Sequence, residues 1–282
     1  MPEPGAVEVA VEKFSGTVRK CQLDRVAIEE PLEIRLDYCA DGKRVARSIS
    51  VTMRTPGDDE SLAVGFLLSE GILHARGDVR EVRTCGPAVG PQKLRNVVRV
   101  ELRENVAVDI KRLERHFYTT SSCGVCGKTS LEALATGSVA PLAENLLKIS
   151  VAAIHGLPQR LRSAQAVFEE TGGLHAAALF NATGELLALR EDVGRHNAVD
   201  KLIGAEFLAG RIPLAERGIL VSGRASFELM QKALMAGIAL LAAVGAPSSL
   251  AVELAERYKM TLIGFLRDGR FNVYSGSWRL QE

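Results

Sequence analysis

The sequence contains little that is typical of a segment that directs a protein into or across a membrane, and we expect none. Its first residues, Met1 to Val11, contain no basic start followed by an apolar stretch, so we expect no secretory signal. The longest apolar run, Ala233 to Ala246, is shorter than the roughly 18 residues of a membrane span and ends at Pro247. We therefore predict that this run is a buried helix, apolar on every side.

An excess of charge of one sign and a disulfide framework are also missing. The formal net charge is +1, so no overall field attracts nucleic acid or an anionic membrane, and we expect neither as a partner. The chain has 5 cysteines, an odd number, and without a secretory signal this argues against structural disulfides. We expect a protein of the reducing cytoplasm, where reactive thiols persist.

Strand-like and helix-like segments alternate along the chain, which predicts an α/β fold with helices on both faces of a layered sheet. In the first part, Arg47 to Met53 alternates like a strand and Leu62 to Leu73 has helical spacing. Asn96 to Leu102 and Asn105 to Ile110 are predicted to form a hairpin, after a loop at Gly86-Pro87.

The composition changes to small polar residues around Phe117, and we place a domain boundary there. Residues 1–115 are predicted to form a smaller N-terminal α/β domain and residues 116–282 a second, larger domain. The predicted elements of the second domain include strands at Ala176 to Phe180, Glu185 to Arg190 and Gly218 to Val221, a helix at Arg224 to Val244, and a closing hairpin of Thr261 to Leu266 and Arg270 to Tyr274 around Asp268-Gly269.

The densest chemical signal is the run Ser121 to Lys128, in which Gly-Val separates Cys123 from Cys126. A helix is predicted from about Val125 to Thr136, and the free backbone N–H groups and dipole at its start favour a thiolate there. Lys128 adds a nearby positive charge. Thiols placed in this way titrate at about 3.5–7.5 instead of about 8.5, so one of them is expected to be a nucleophile at neutral pH.

Spacing alone leaves three interpretations of the cysteine pair open. It can be half of a zinc site, completed by lone residues such as His116 or Cys85. It can be a dithiol that cycles through a disulfide. It can also be a sulfur relay that holds a persulfide, for which Gly124 and Gly127 leave room beside the sulfur atoms.

Several motifs together resemble the formate dehydrogenase accessory sulfurtransferases, the FdhD family. The resemblance extends from Thr55 to Asn272, and several long motifs in the same order are more specific than one cysteine pair. The stretches that carry it are Thr119 to Lys128, Gly172 to Leu179, Glu191 to Lys201 and Val221 to Ser226.

This resemblance implies a sulfurtransferase that takes sulfur from a cysteine desulfurase and passes it to a molybdenum cofactor with two pterin guanine dinucleotides. The cofactor then enters formate dehydrogenase, and GDP is expected to mimic part of it. A homodimer without a bound metal of its own is implied. The implied fold is a cytidine-deaminase-like layered core, although the zinc-binding deaminase signature is missing, so deaminase chemistry is not expected.

The resemblance also assigns site residues. Cys123 is the expected persulfide carrier, and Cys126 is the expected assistant. The cofactor-binding residues are expected to be Phe265, Leu266, Arg267, Asp268, Gly269 and Arg270, where the guanidinium groups suit pyrophosphate. A chaperone that only holds the cofactor, or a dithiol or zinc protein, is the alternative.

Three further motifs have no assigned role at this level. Ser222 to Ser226 joins a strand to a helix and is either an anion cradle or an ordinary turn and helix cap. His175 and His196 are more typical of hydrogen-bonded structural residues than of acid–base catalysts.

Overall fold

The computed structural model describes residues 5–89, 93–108 and 140–282, which form a mixed α/β protein. The strands are β1 Ala6–Ser15, β2 Val18–Ala27, β3 Glu30–Ala40, β4 Lys43–Arg54, β5 Val79–Val89, β6 Leu94–Leu102, β7 Ile149–Ser150, β8 His175–Phe180, β9 Leu186–Asp192, β10 Gly218–Val221, β11 Leu240–Ala243, β12 Thr261–Arg267, β13 Arg270–Ser275 and β14 Leu280–Gln281. The helices are α1 Asp59–Ser69, α2 Val151–Ala164, α3 Ala166–Thr171, α4 Arg195–Leu208, α5 Phe227–Met235 and α6 Ser249–Arg257.

The larger sheet has six strands in the order β13-β12-β11-β10-β8-β9. Strands β10, β11 and β12 are parallel, and β8 runs antiparallel to β10. The central strands β10 and β11 consist almost wholly of aliphatic residues, and every residue in them is buried. Such continuous apolar strands are typical of a sheet that is covered on both faces.

Helices cover the two faces of this sheet, as the sequence predicts. Alternate strand residues point to opposite faces, so Ala177 packs in one apolar cluster with α4, α5 and α6. Its neighbour Ala178 packs in the other cluster with α2. Both halves of the core therefore depend on the strand alternation.

A second sheet of four strands, in the order β4-β3-β6-β5, packs against α1. Helix α1 crosses α4 at two glycines. A Cβ atom on Gly65 would lie 1.9 Å from the Asp200 carbonyl oxygen, and one on Gly204 would lie 1.9 Å from the Ser61 carbonyl oxygen. The two helix backbones are thus in direct contact, and this crossing joins the two sheets.

Strands β1 and β2 form a separate two-stranded arm that the sequence analysis does not predict. The arm rests on α3, where Arg25 pairs with Glu170 at 2.5 Å. Farther out it exposes apolar side chains, among them Phe14 at 64% and Leu23 at 66%.

The predicted helix over the apolar run Ala233 to Ala246 is wrong. Helix α5 ends at Met235, the chain turns at Gly237 with φ 76°, and the buried strand β11 follows. A short apolar run fits a buried strand as well as a buried helix, and burial on both faces removes the period of two. In the part of the chain that the structure describes, we find no helix both long and apolar enough to span a membrane.

Two predictions for the first part of the chain are also wrong. Strand β6 pairs with β5 and β3, whereas residues 105–108 are not a strand. Gly86-Pro87 lies inside β5, at a register shift where Gly86 has φ 90°. The predicted boundary between residues 115 and 116 and the predicted helix at Val125 to Thr136 lie outside the described residues.

Candidate functional site

Several of the sequence motifs described above lie together at one edge of the six-stranded sheet. Because β10, β11 and β12 are parallel, the loops that follow them meet at the same edge. Strand β8 runs the other way, so its first residue, His175, lies at that edge as well. We call this edge the strand-end site; it comprises His175, Gly194 to His196, Ser222 to Ser226, Val244 to Ser248 and residues 265–270.

Backbone hydrogen bonds connect the three loops that follow the parallel strands. The Gly245 N–H donates to the Gly223 carbonyl at 2.9 Å, and the Phe265 N–H donates to the Gly245 carbonyl at 3.0 Å. A Cβ atom on Gly245 would lie 3.0 Å from the Gly223 oxygen, so a larger residue would push the loops apart. The loops therefore hold one another in place, and ligand groups that bind them share one rigid support.

The predicted cofactor segment forms the outer end of the β12–β13 hairpin. Asp268 and Gly269 have φ values of 54° and 69°, which gives the tight turn typical of Asp-Gly, and Arg267 pairs with Arg270 across it. Phe265 also has a positive φ of 53°, at an irregularity in β12. Positive φ is uncommon outside glycine and worth noting near a functional site.

Side chains of this segment have different surroundings. Leu266 is 1% exposed and belongs to the core cluster under α2, so its side chain is not accessible to a ligand. Arg267 and Arg270 are exposed, and Arg267 lies 6.0 Å from the centroid of the half-buried Phe265 ring. Arg224, in the neighbouring loop, is exposed too. None of these three arginines forms an ion pair with another described residue, so all three are available for an anionic ligand.

A cluster of polar side chains lies at the start of α4 and α5. The Nε2 atom of His196 is 3.4 Å from the Ser226 hydroxyl and 3.9 Å from Glu228 Oε2. Burial, together with the positive charges of Lys232 and Arg195, lowers the pKa of His196 to about 4. At neutral pH this imidazole is uncharged, and its ring nitrogens can accept or donate one hydrogen bond each.

His175 lies beside the Gly223 turn. A Cβ atom on Gly223 would lie 3.5 Å from His175 Nδ1, so this glycine allows the ring to approach the loop. Burial lowers the pKa of His175, and the charge of Arg195 acts in the same direction. Burial favours a higher pKa for Glu228, but hydrogen bonds from its own backbone N–H and from Ser226 lower the pKa below its ordinary value.

Other residues of the Glu191 to Lys201 motif point inward and connect the two parts of the chain. The Lys201 ammonium contacts Asp192 Oδ2 at 2.8 Å and the Thr55 carbonyl at 2.7 Å. Asp192 accepts from the Thr55 N–H at 3.1 Å, and Asn197 donates to the Met53 carbonyl at 2.7 Å. These groups are buried and satisfied, so their role is to hold β4 against α4.

A second buried ion pair involves Asp200, which directly precedes Lys201 in α4. Lys232 of α5 donates to Asp200 Oδ2 at 2.7 Å, and the Ser69 hydroxyl of α1 donates to Asp200 Oδ1 at 3.0 Å. We call this pair, together with Asp192, Asn197, Lys201 and their partners, the junction network. The sequence pattern alone does not separate these structural residues from Arg195 and His196.

A cleft of about 460 Å³ opens beside the strand-end site, on the face that α2 covers. Its lining consists of Pro158, Leu161, Arg162, Gln165, Phe168, Gly172, Gly173, Leu174, His175, Ser222 and Val244. The sequence gives no signal for Gln165, because a single glutamine between two helices forms no recognisable pattern. A larger hollow of about 710 Å³ lies near the β8–β9 turn, at the opposite edge of the sheet.

The two predicted sulfur residues, Cys123 and Cys126, lie outside the described residues. Of the other cysteines, Cys21 is exposed, while Cys39 and Cys85 are half-buried, and all three are free thiols. Across residues 5–89, 93–108 and 140–282, no group of three or more His, Cys, Asp or Glu side chains is placed to hold a metal ion.

Comparison with known proteins gives one consistent family. The FdhD/NarQ family model matches residues 27–281. The sulfur carrier protein FdhD of Streptomyces coelicolor is 51% identical over 259 residues, which covers 91% of this chain and 89% of that protein. The corresponding protein of Saccharolobus solfataricus is 42% identical, with 91% of each chain covered.

A solved structure agrees. A protein of Desulfotalea psychrophila, provisionally designated a formate dehydrogenase accessory protein, superposes with a TM-score of 0.74 at 27% identity. The match covers 99% of this chain and all of that one. The family model and the identities over nine-tenths of the sequence show that this chain belongs to the FdhD/NarQ family.

Proposed function

We propose that this chain is a sulfur carrier that loads a molybdenum cofactor before the cofactor enters formate dehydrogenase. The observation that carries the proposal is its 42–51% identity, over nine-tenths of the chain, to proteins named as sulfur carriers. A cysteine desulfurase is the sulfur donor and formate dehydrogenase is the final acceptor. The carrier acts as a cytoplasmic homodimer with a deaminase-like core.

In the first step, the Cys123 thiolate attacks the outer sulfur of the desulfurase persulfide. A new sulfur–sulfur bond forms on Cys123, and the desulfurase cysteine leaves as a thiolate. No net oxidation occurs, because one sulfur–sulfur bond replaces another. Cys123 then carries the sulfur as a persulfide.

In the second step, the Cys126 thiolate attacks the inner sulfur of the Cys123 persulfide. The persulfide bond breaks, the outer sulfur leaves as sulfide for the molybdenum of the cargo, and a Cys123–Cys126 disulfide forms. The two cysteines supply the two electrons that the sulfur gains. A cellular thiol reductant then restores the pair for the next cycle.

The strand-end site supports the cargo-binding half of this proposal. The cargo is a bis-molybdopterin guanine dinucleotide with several phosphate charges, while the net charge of the chain is only +1. Local donors must therefore provide the attraction, and the exposed Arg224, Arg267 and Arg270, which have no ion-pair partner among the described residues, are the candidates. Phe265, Asp268 and Gly269 complete the proposed contact with the guanine nucleotide portion.

Mass spectrometry tests the sulfur half. The protein is incubated with a cysteine desulfurase and cysteine, digested, and mapped with and without a reductant. We expect a gain of one sulfur atom on the peptide that contains Cys123, and its loss on reduction. A Cys21→Ser variant serves as the control, because Cys21 is the exposed thiol among the described cysteines. Sulfur that is found only on Cys21, Cys39 or Cys85 would contradict the proposal.

A further inference from the structure

The cleft beside the strand-end site contains a buried polar group that the protein does not satisfy. Gln165 is 5% exposed and lines the cleft. Its Nε2 atom is buried, and no described residue accepts a hydrogen bond from it. Buried amide groups nearly always have a partner, so an unpartnered one on the wall of a cleft points to a ligand that carries an acceptor.

The other walls indicate which kind of ligand fits. Leu161 and Leu174 are buried and apolar, and Val244 and the half-buried Phe168 add further apolar surface. The volume of about 460 Å³ lies in the range of small-molecule sites, about 300–1,000 Å³. An apolar cleft with a single buried amide donor suits a flat heteroaromatic ring with a carbonyl group.

Polar groups at the rim of the cleft are suited to contact charged groups attached to such a ring. Arg162 lies at the mouth, with its guanidinium 4.5 Å from the centroid of the Phe168 ring. On the sheet side, the cleft reaches Ser222 and Val244, and the next residue, Gly245, bonds to Phe265. Ser222 and Val244 therefore place the cleft next to the loops that carry Arg224, Arg267 and Arg270, where phosphate groups would bind.

We propose that this cleft holds the fused 2-amino-4-oxopyrimidine ring of the cargo, with Gln165 donating its Nε2–H to the ring carbonyl. The proposal rests on the cargo-binding half of the proposed function and adds the residue that recognises the ring. Guanine and pterin share this ring, and the cargo contains both. The experiment therefore uses GDP and a simple pterin, pterin-6-carboxylate, as separate probes.

Calorimetric titration of both probes into the full-length protein tests the proposal. Gln165→Met keeps the length of the side chain and removes the donor, so the affinity for the occupant should fall about tenfold. Gln165→Asn is the second variant. Its side chain keeps the amide but is one methylene group shorter, so the N–H donor lies farther from the ring and binding should also weaken. Gln159→Met is the matched control, because Gln159 is exposed and lines the larger hollow, not the cleft.

Thermal melting of each variant shows whether it is folded, and the probe whose binding falls identifies the ring. Loss of GDP binding assigns guanine to the cleft, and loss of pterin binding assigns the pterin. Wild-type affinity for both probes in folded Gln165 variants would overturn the inference. If the Gln165 variants bind normally but the Arg267→Ala, Arg270→Ala double variant binds GDP more weakly, the proposed function stands and only the inference about Gln165 is wrong. If the wild-type protein binds neither probe, both the proposed ring site in the cleft and the proposed binding of the cargo are contradicted. Persulfide mapping still tests the proposed sulfur transfer independently.

Discussion

The junction network and the strand-end site contain the same kinds of residues, partly from the same motif, yet their surroundings are opposite. Lys201 is 2% exposed, and its ammonium contacts a carboxylate and a carbonyl. Arg267 and Arg270, by contrast, are exposed and have no carboxylate partner among the described residues. Satisfied buried charges hold a fold together, whereas unpaired charges on a rigid edge are available to a ligand.

The largest effect should follow from breaking the junction network. Lys201→Met leaves the buried Asp192 carboxylate without its counter-ion, and removing one partner of such a pair typically costs about 3–5 kcal/mol. Urea denaturation should show this loss. Lys259→Met is the matched control, because the Lys259–Glu144 pair is half exposed and should contribute less than about 1 kcal/mol. Equal losses in the two variants would remove the distinction between the two regions.

Removing charge from the strand-end site should affect binding and leave stability unchanged. Arg267→Ala, Arg270→Ala deletes two exposed guanidinium groups, and a charge-assisted hydrogen bond is worth roughly 1.5–3 kcal/mol, so GDP affinity should fall about tenfold or more. Calorimetry measures the affinity and thermal melting measures the fold. Arg83→Ala, Arg103→Ala removes the same charge from the exposed surface of the smaller sheet and should leave GDP binding intact. Unchanged affinity in the first variant would move the nucleotide site elsewhere.

The smallest effect concerns His196 of the strand-end site, whose neighbour in the chain, Asn197, belongs to the junction network. Its pKa in the folded protein is about 4, below the ordinary 6.5, so the unfolded chain binds the proton more readily. Stability should be full above about pH 6.5 and fall as the pH decreases towards 4. The upper bound is about 3 kcal/mol, reduced because 35% of the side chain is exposed to water.

Denaturation measured between pH 4 and pH 7 checks this expectation. His196→Gln should reduce the pH dependence, because glutamine does not titrate; the part that comes from His175, whose pKa burial also lowers, should remain. His74→Gln, which replaces an exposed histidine, should retain the slope of the wild type. An unchanged slope in His196→Gln would show that other groups cause the pH dependence.

Secondary structure is predicted correctly from the sequence where neighbouring residues alone determine it. The Asp268-Gly269 turn and strands β8, β9 and β10 are all confirmed, because turn residues and short apolar runs specify them locally. The prediction is wrong where packing against distant parts of the chain determines the secondary structure. The run Ala233 to Ala246 becomes the end of a helix, a turn and a strand, since burial on both faces removes the periodicity that distinguishes the two structures.

The site is predicted only in part for the same reason. The segment 265–270 and the loop Ser222 to Ser226 carry visible motifs, but their meeting at one edge follows from the parallel order of β10, β11 and β12. Within Glu191 to Lys201, sequence does not reveal that Asp192 and Lys201 point to Thr55 while His196 points to Ser226. Gln165 gains significance only from its burial beside a cleft.

Formate dehydrogenase maturation tests the central proposal, transfer of sulfur through Cys123, most directly. Cells that lack the endogenous carrier are supplied with the wild-type chain, Cys123→Ala or Cys126→Ala, at equal protein levels, and formate dehydrogenase activity is measured. We expect full activity with the wild type, none with Cys123→Ala, and partial activity with Cys126→Ala, because Cys123 alone holds the sulfur and a cellular thiol can attack its persulfide in place of Cys126. Full activity with Cys123→Ala would contradict the sulfur carrier and favour a chaperone that only binds the cofactor.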